Sequence, residues 1–408
     1  MGGETRDKTH PSGYFSPTAE EHNYLAFGGR VGLPRLLLRI AIAVALLFAV
    51  DVALSKTLVP RSQYLHAYRL PRQLPTASLA DYVSAIDESA LTRAGGPIVT
   101  FLGASPTYGY RIKDSVNTYP YAFQASAVAS GWPDRTFNLA SNGQFAADEY
   151  VIGTRLADDS DVVFVQLTYH TFNPAARNGA VIRYPELPQL LGVGLTAPAA
   201  RLLGVKPSPI AGAVTGADAL VSRYWLLWRE RDLLDKRLFG GKPQTLLAGT
   251  GPSKVTSLPG EAASPDDGFA SFDSLDPVAQ MIAIVRYAED ASFTVSPHDS
   301  DVRFVTLLAD ELKAKGKKAV FFVAPLNRQL VEEYQLIDPK QYRANISLLR
   351  GIVKRDGFPF LDYNTGPDIL PSSLFADISH TTDKGGKRVG ALLWRDSRAY
   401  LEGPGVKP

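Results

Sequence analysis

The sequence predicts a three-layer α/β/α sandwich with a mostly parallel central sheet, preceded by one transmembrane helix. Three observations predict it. From about residue 97 onward, short β-branched and aromatic runs alternate with longer amphipathic stretches; those short runs are apolar nearly end to end; and one isolated apolar run stands near the N-terminus.

The isolated run extends from Leu36 to Val50 and continues through Asp51 to Leu54, close to the ~20 residues that cross a bilayer. It is apolar on nearly every face, unlike the single stripe of a helix packed on a core. Arg39 sits near enough to its start to snorkel toward headgroups, and Asp51 belongs at the far interface. Arg30 and Arg35 precede the run, while Lys56 and Arg61 follow it, so the charge balance slightly favours a cytoplasmic N-terminus. A cleaved signal peptide is the rival reading. Against it stand the long, mostly polar leader and the lack of a clean small-x-small cleavage site. The expected layout is a cytoplasmic tail over 1–34, an anchor over 35–55, a connector over 56–96 and an extracytoplasmic domain over 97–408. Such a chain is a single-pass protein of the inner or plasma membrane, with its main domain periplasmic or extracellular. The connector holds Pro71, Pro75 and Gly95-Gly96-Pro97, with a helix expected around Leu79 to Arg93.

Within the domain, Ile98 to Leu102 reads as a strand, Tyr119 to Ser130 as a helix, Thr136 to Leu139 as a strand, Ala146 to Leu156 as a helix and Asp161 to Leu167 as a third strand. An insertion of about 174–277 interrupts the pattern. It includes Ser222 to Leu234, whose Trp225, Trp228 and arginines suit either a cap helix or a membrane-surface element, and then a Gly/Ser/Pro/Asp-rich stretch that reads as a loop. The alternation resumes with a helix over Val302 to Lys315, a strand over Lys318 to Ala324, a helix over Gln341 to Arg355, a strand over Phe358 to Asp362 and a last helix over Lys384 to Leu401.

Composition narrows the function. The chain has 408 residues, 45% of them hydrophobic, which suits a globular protein. Its 43 basic and 41 acidic residues leave a charge of +2, without the field that draws proteins to nucleic acid. The absence of cysteine removes disulfides, thiolate nucleophiles and thiolate metal ligands, and fits an exported bacterial protein. No metal motif or phosphate-binding loop stands out, and no cofactor is expected.

In an open parallel sheet, ligands bind where strands end. The first strand runs into Gly103-Ala104-Ser105-Pro106-Thr107-Tyr108-Gly109, a turn that can present the Ser105 hydroxyl and its N–H at a helix start. After the last strand comes Asp377-Ile378-Ser379-His380. A neutral imidazole takes a proton from serine when a carboxylate fixes its tautomer and stabilises the imidazolium. Of the other histidines, only His10 has a carboxylate three residues earlier, Asp7, and both precede the anchor.

These two ends resemble the first and last blocks of the SGNH (GDSL-like) hydrolases, in the family's order and over roughly residues 97 to 400. The resemblance implies Ser105 as nucleophile, His380 as general base and then acid, and Asp377 as the residue that orients His380. Asn138-Leu139-Ala140-Ser141-Asn142-Gly143 resembles the second block, which makes Gly143 an oxyanion donor by carry-over. The family's third block supplies an asparagine from Gly-x-Asn-Asp. Here that place reads Thr168-Tyr169-His170-Thr171-Phe172-Asn173, so the donor is either His170, at the aligned position, or Asn173, one turn later. The usual aspartate of Gly-Asp-Ser is Ala104.

The anchor, the insertion, Ala324-Pro325-Leu326-Asn327 after strand four and the late Asp377-x-x-His380 look similar to membrane-anchored proteins of cell-envelope acylation, of the teichoic acid D-alanylation and alginate O-acetylation kinds. The block order is closer to the first kind. That likeness implies an extracytoplasmic O-acyltransferase or esterase, an acyl donor and a glycan acceptor as partners, and a membrane-bound O-acyltransferase beside it. The alternative is a non-catalytic polysaccharide-binding or assembly factor that partners such an acyltransferase, a reading supported by the missing third-block motif.

Overall fold

The computed structural model describes residues 33–58, 96–204 apart from 133, 134 and 186, 271–288 and 293–403, together with Val83, Ile86 and Trp225. Two units separate, 1–53 and 54–408. Helix α1 (Leu33–Leu58), which begins in the first, is a few residues longer at each end than the expected anchor. Its segment Pro34–Ala53 is long and apolar enough to cross a membrane.

The second unit is built on five parallel strands: β1 (Ile98–Leu102), β2 (Arg135–Asn138), β3 (Val162–Leu167), β4 (Lys318–Val323) and β5 (Phe360–Asp362). They lie side by side in the order β2-β1-β3-β4-β5, a doubly wound arrangement in which the chain reverses direction next to β1. Around them, in chain order, run α2 (Ser105–Tyr108), α3 (Tyr119–Ala129), α4 (Ala146–Leu156), α5 (Leu187–Leu190), α6 (Ala197–Leu202), α7 (Pro277–Ala288), α8 (Ser300–Ala314), α9 (Arg328–Glu333), α10 (Pro339–Arg355) and α11 (Asp383–Leu401).

The strands are apolar throughout because helices cover both faces. Val163, Val165, Phe321 and Val323 face one core with residues of α4, α8 and α10. Their neighbours Val162, Phe164, Val320 and Phe322 face the other, with residues of α3 and α11. Alternate side chains of one strand thus feed opposite layers, the period-two geometry of a pleated strand. Phe101 stacks on Phe164 with centroids 4.5 Å apart. α11 crosses α3 closely at Gly390, where a Cβ would lie 2.5 Å from that of Ala122 and 2.6 Å from the Phe123 nitrogen.

All five expected strands and all five helices expected in the domain form, with ends shifted by at most two residues. The last strand begins two residues later than expected, at Phe360. Within the insertion, α5 and α6 had no counterpart in the sequence reading, and neither did α7, which begins where the insertion was expected to end. Most of the connector, and most of the expected 222–234 helix with the polar stretch behind it, lie outside the described residues. Val83 and Ile86 are buried and helical, while Trp225 is exposed and not helical.

Candidate active site at the strand ends

The end of β1 is bent into place by close packing. Gly103 has φ +158°, and a Cβ there would fall 2.7 Å from the Cβ of Gln166 on β3. Ser105 then opens the short α2, with Pro106 behind it and a left-handed Gly109 ending the turn. Gly109 and Tyr110 donate their N–H groups to the Ser105 carbonyl at 3.1 and 2.9 Å. Two strand residues clamp this turn through Thr107. Gln166 Oε1 accepts from the Thr107 N–H at 2.9 Å, and Asn138 Nδ2 donates to the Thr107 carbonyl at 3.1 Å. Gln166 also reaches the Thr168 hydroxyl through Nε2. Sequence reasoning did not assign Gln166 a role. The signal was present, since it is the one polar residue in an otherwise apolar strand.

After β5 the chain forms a tight turn, closed by an antiparallel bridge between Phe375 and Thr381 and by an Ala376 N–H to His380 carbonyl bond of 2.8 Å. Asn327, just past β4, docks this turn by donating its N–H to the Ile378 carbonyl at 2.8 Å. Within it, Asp377 Oδ1 accepts from the backbone N–H groups of Ser379 and His380 at 2.9 and 2.7 Å. His380 Nδ1 lies 2.7 Å from Asp377 Oδ2, and His380 Nε2 lies 2.8 Å from Ser105 Oγ. Burial pushes the Asp377 carboxyl up, but His380 and the two backbone donors outweigh it and hold the group below the usual carboxylate range. An ionised Asp377 accepts the Nδ1 proton, which leaves Nε2 with a lone pair for the serine hydroxyl. Two further residues frame the pair: Tyr110 meets the His380 ring edge-on at 4.9 Å, and Arg111 Nε stands 4.0 Å from Asp377 Oδ2.

The expected oxyanion residues occupy the ends of β2 and β3. Ser141 donates its N–H to the Gly103 carbonyl at 3.2 Å, which lays the second-block loop against the serine turn. Gly143 follows in the left-handed region at φ +77°, a conformation that suits glycine. His170 packs edge-on against Tyr287 of α7, its Nδ1 buried and without a hydrogen-bond partner among the described residues. Burial, and secondarily the neighbouring His380, lower its pKa to about 4, so at neutral pH it is an uncharged imidazole. Asn173 is buried, and its Oδ1 accepts from the Ala175 N–H at 3.0 Å, starting the turn at 175–177, a bond that orients its side chain and does not use the amide nitrogen.

The arrangement holds a serine hydroxyl, an imidazole and a carboxylate in series, a geometry suited to nucleophilic attack on an acyl carbon. Among the described residues no group of three or more His, Asp or Glu is placed to hold a metal ion.

No protein-family model and no curated protein sequence matches the chain. Among solved structures, it is similar to a lipase/acylhydrolase from Enterococcus faecalis at 11% identity and a TM-score of 0.34, covering 76% of this chain and 98% of that one. It is similar also to a carbohydrate acetylesterase family member from Sinorhizobium meliloti at 14% identity and a TM-score of 0.32, covering 75% and 99%. A second carbohydrate acetylesterase from that organism aligns at 11% identity and a TM-score of 0.29, covering 74% and 99%. By its own sheet order, and by the strand ends that bring Ser105, Asp377 and His380 together, the domain has an SGNH-like α/β fold.

Proposed function

We propose that the chain is a membrane-anchored serine O-acyltransferase or esterase of the SGNH kind, working outside the membrane on an acyl ester of a cell-envelope or exported polysaccharide. The observation that carries the reading is the continuous contact from Ser105 Oγ to His380 Nε2 at 2.8 Å and from His380 Nδ1 to Asp377 at 2.7 Å.

In this reading His380 takes the hydroxyl proton as Ser105 Oγ bonds to the acyl carbon, and the carbonyl π electrons move to oxygen. The oxyanion is met by the N–H groups of Ser105 and Gly143 and by the neutral imidazole of His170, which donates a proton in a hydrogen bond without adding charge. Collapse of the intermediate expels the alkoxide, which leaves with the proton from His380, and the acyl group stays on Ser105. A glycan hydroxyl or water then gives its proton to His380 and attacks, releasing the acyl product and free serine. The span at Pro34–Ala53 supports a reaction beside a membrane, where an integral-membrane acyltransferase hands over the acyl group.

Labelling of the detergent-purified full chain with a fluorophosphonate tests this. Labelling lost in both Ser105→Ala and His380→Ala supports an activated serine. No labelling of a folded wild type shifts the function to a non-catalytic glycan-binding or assembly factor.

A further inference from the structure

The insertion sends one basic side chain back to the second-block glycine. Asp148, fully buried in the first turn of α4, accepts three backbone N–H bonds: from Phe145 at 2.9 Å, from Arg183 at 3.0 Å and from Tyr184 at 2.9 Å. The Tyr184 hydroxyl donates to the Asn142 carbonyl at 2.5 Å, next to Gly143. With its backbone held at these points, Arg183 lays its side chain over the glycine. A Cβ built on Gly143 would sit 3.5 Å from Arg183 Nε and 4.0 Å from Cζ. Among the described residues no carboxylate forms an ion pair with Arg183, in contrast to Arg177, which pairs with Asp301 at 2.6 Å.

An insertion clamped by a buried carboxylate to deliver an exposed guanidinium, hydrogen-bonded to Tyr184 and without a carboxylate ion pair among the described residues, at this glycine has a chemical consequence. If the Gly143 N–H meets the carbonyl oxygen of the substrate, the guanidinium stands beside the atom that becomes negative as Ser105 attacks. A fixed positive charge there favours the tetrahedral intermediate over the neutral ester, which is the condition for accelerating the chemical step rather than only tightening binding. Arginine keeps its charge over the whole working pH range. The third-block asparagine of the resembling family is replaced here by His170, a neutral donor, so the three donors proposed above carry no formal charge and the guanidinium would add one.

We propose that Arg183 is a catalytic residue of this site, supplying positive charge to the oxyanion formed during attack by Ser105; the proposal rests on the serine-acyl reading above. In the full-length protein, with the neutral ester 4-nitrophenyl acetate, Arg183→Gln lowers kcat by ~10- to ~100-fold with KM little changed, and Arg183→Lys recovers part of the loss. A boronic acid that forms an anionic tetrahedral adduct on Ser105 weakens by the same factor as kcat/KM falls, a correspondence that a merely structural role does not produce. The proposal is overturned if Gln and Lys behave alike, if boronic-acid affinity is unchanged, or if only KM rises and only for esters bearing an anionic group, which would make Arg183 a substrate-binding residue. Where Arg183→Gln fails to fold, Arg183→Met is compared with Arg183→Lys: boronic-acid affinity kept better by Lys than by Met supports the charge, and equal affinity in the two overturns it. Wild-type turnover that persists in Ser105→Ala overturns the serine-acyl reading itself, and this proposal with it.

Discussion

His170 makes the protein's stability sensitive to mild acid. In the unfolded chain its pKa is that of an ordinary histidine, 6.5, and in the folded domain burial, followed by the neighbouring His380, brings it to about 4. Between those two values the unfolded chain binds a proton that the native state refuses. Stability therefore rises with pH across the window and is lost as pH falls from 6.5 toward 4. A difference of two to three pKa units, at 1.36 kcal/mol each, sets the loss from this one group at about 3 kcal/mol. His170→Gln retains a hydrogen-bonding side chain of similar size and cannot titrate. Urea denaturation of wild type and variant at pH 7 and pH 4 is the assay. The wild type should lose about 3 kcal/mol more than the variant over that range, while the variant is the less stable or equal at pH 7. Parallel losses in the two proteins would refute the argument, because they would mean that His170 binds its proton as readily folded as unfolded. The same neutrality underlies its proposed role. A neutral His170 gives the site a donor without lowering the basicity of His380, as an imidazolium beside it would.

Asp377→Asn keeps the turn, since an amide oxygen can still accept from Ser379 and His380, but it no longer enforces the tautomer in which Nε2 accepts the serine proton; ester turnover should fall ~10³- to ~10⁴-fold with an unchanged circular dichroism spectrum. Gln166→Leu leaves the buried Thr107 N–H without its 2.9 Å acceptor, costing about 1–3 kcal/mol in the midpoint-derived unfolding free energy and slowing fluorophosphonate labelling of Ser105. Gly390→Val forces a side chain into a gap where even a Cβ would stand 2.5 Å from Ala122, so α11 must separate from α3 and the unfolding free energy should drop by ~1–3 kcal/mol or more. An unchanged thermal midpoint in Gly390→Val would count against that close crossing.

The sheet was legible because its strands are buried on both faces. A run such as Val162-Val163-Phe164-Val165 must be apolar at every position, and its shortness and its flanking helical patterns separate it from the long apolar span near the N-terminus. The starts of α10 and α11 were read from the amphipathic pattern to within two residues; their caps, Asp338 and Thr382, accept backbone N–H bonds from Lys340 and Gly385. The short helices α5 and α6 were not legible: four and six residues carry too little periodicity, and their formation depends on what they pack against. Helix α7 is longer, but four of its large apolar residues, Val278, Met281, Ile282 and Val285, point outward, so its pattern did not mark a core-facing stripe.

Ser105 and the Asp377-x-x-His380 turn could be singled out in the chain because the chemistry asks for particular residue types just after strands, and strand ends can be read locally. Choosing among the oxyanion candidates was a different problem. His170 and Asn173 are one turn apart and chemically plausible alike: Asn173 accepts the Ala175 N–H on its oxygen, a bond that leaves its amide nitrogen as the donor, while His170 has a buried Nδ1 without a partner among the described residues. Gln166 and Asn138 grip Thr107 across separations of 59 and 31 residues, and Asp148 fixes Arg183 from 35 residues away. The sequence by itself determined the alternating elements, the apolar span and the residue types able to do acyl chemistry, because each depends on neighbours along the chain. Only the tertiary structure decided which side chains meet at the serine, because those contacts join strand ends and an insertion whose distance in sequence says nothing of their distance in space.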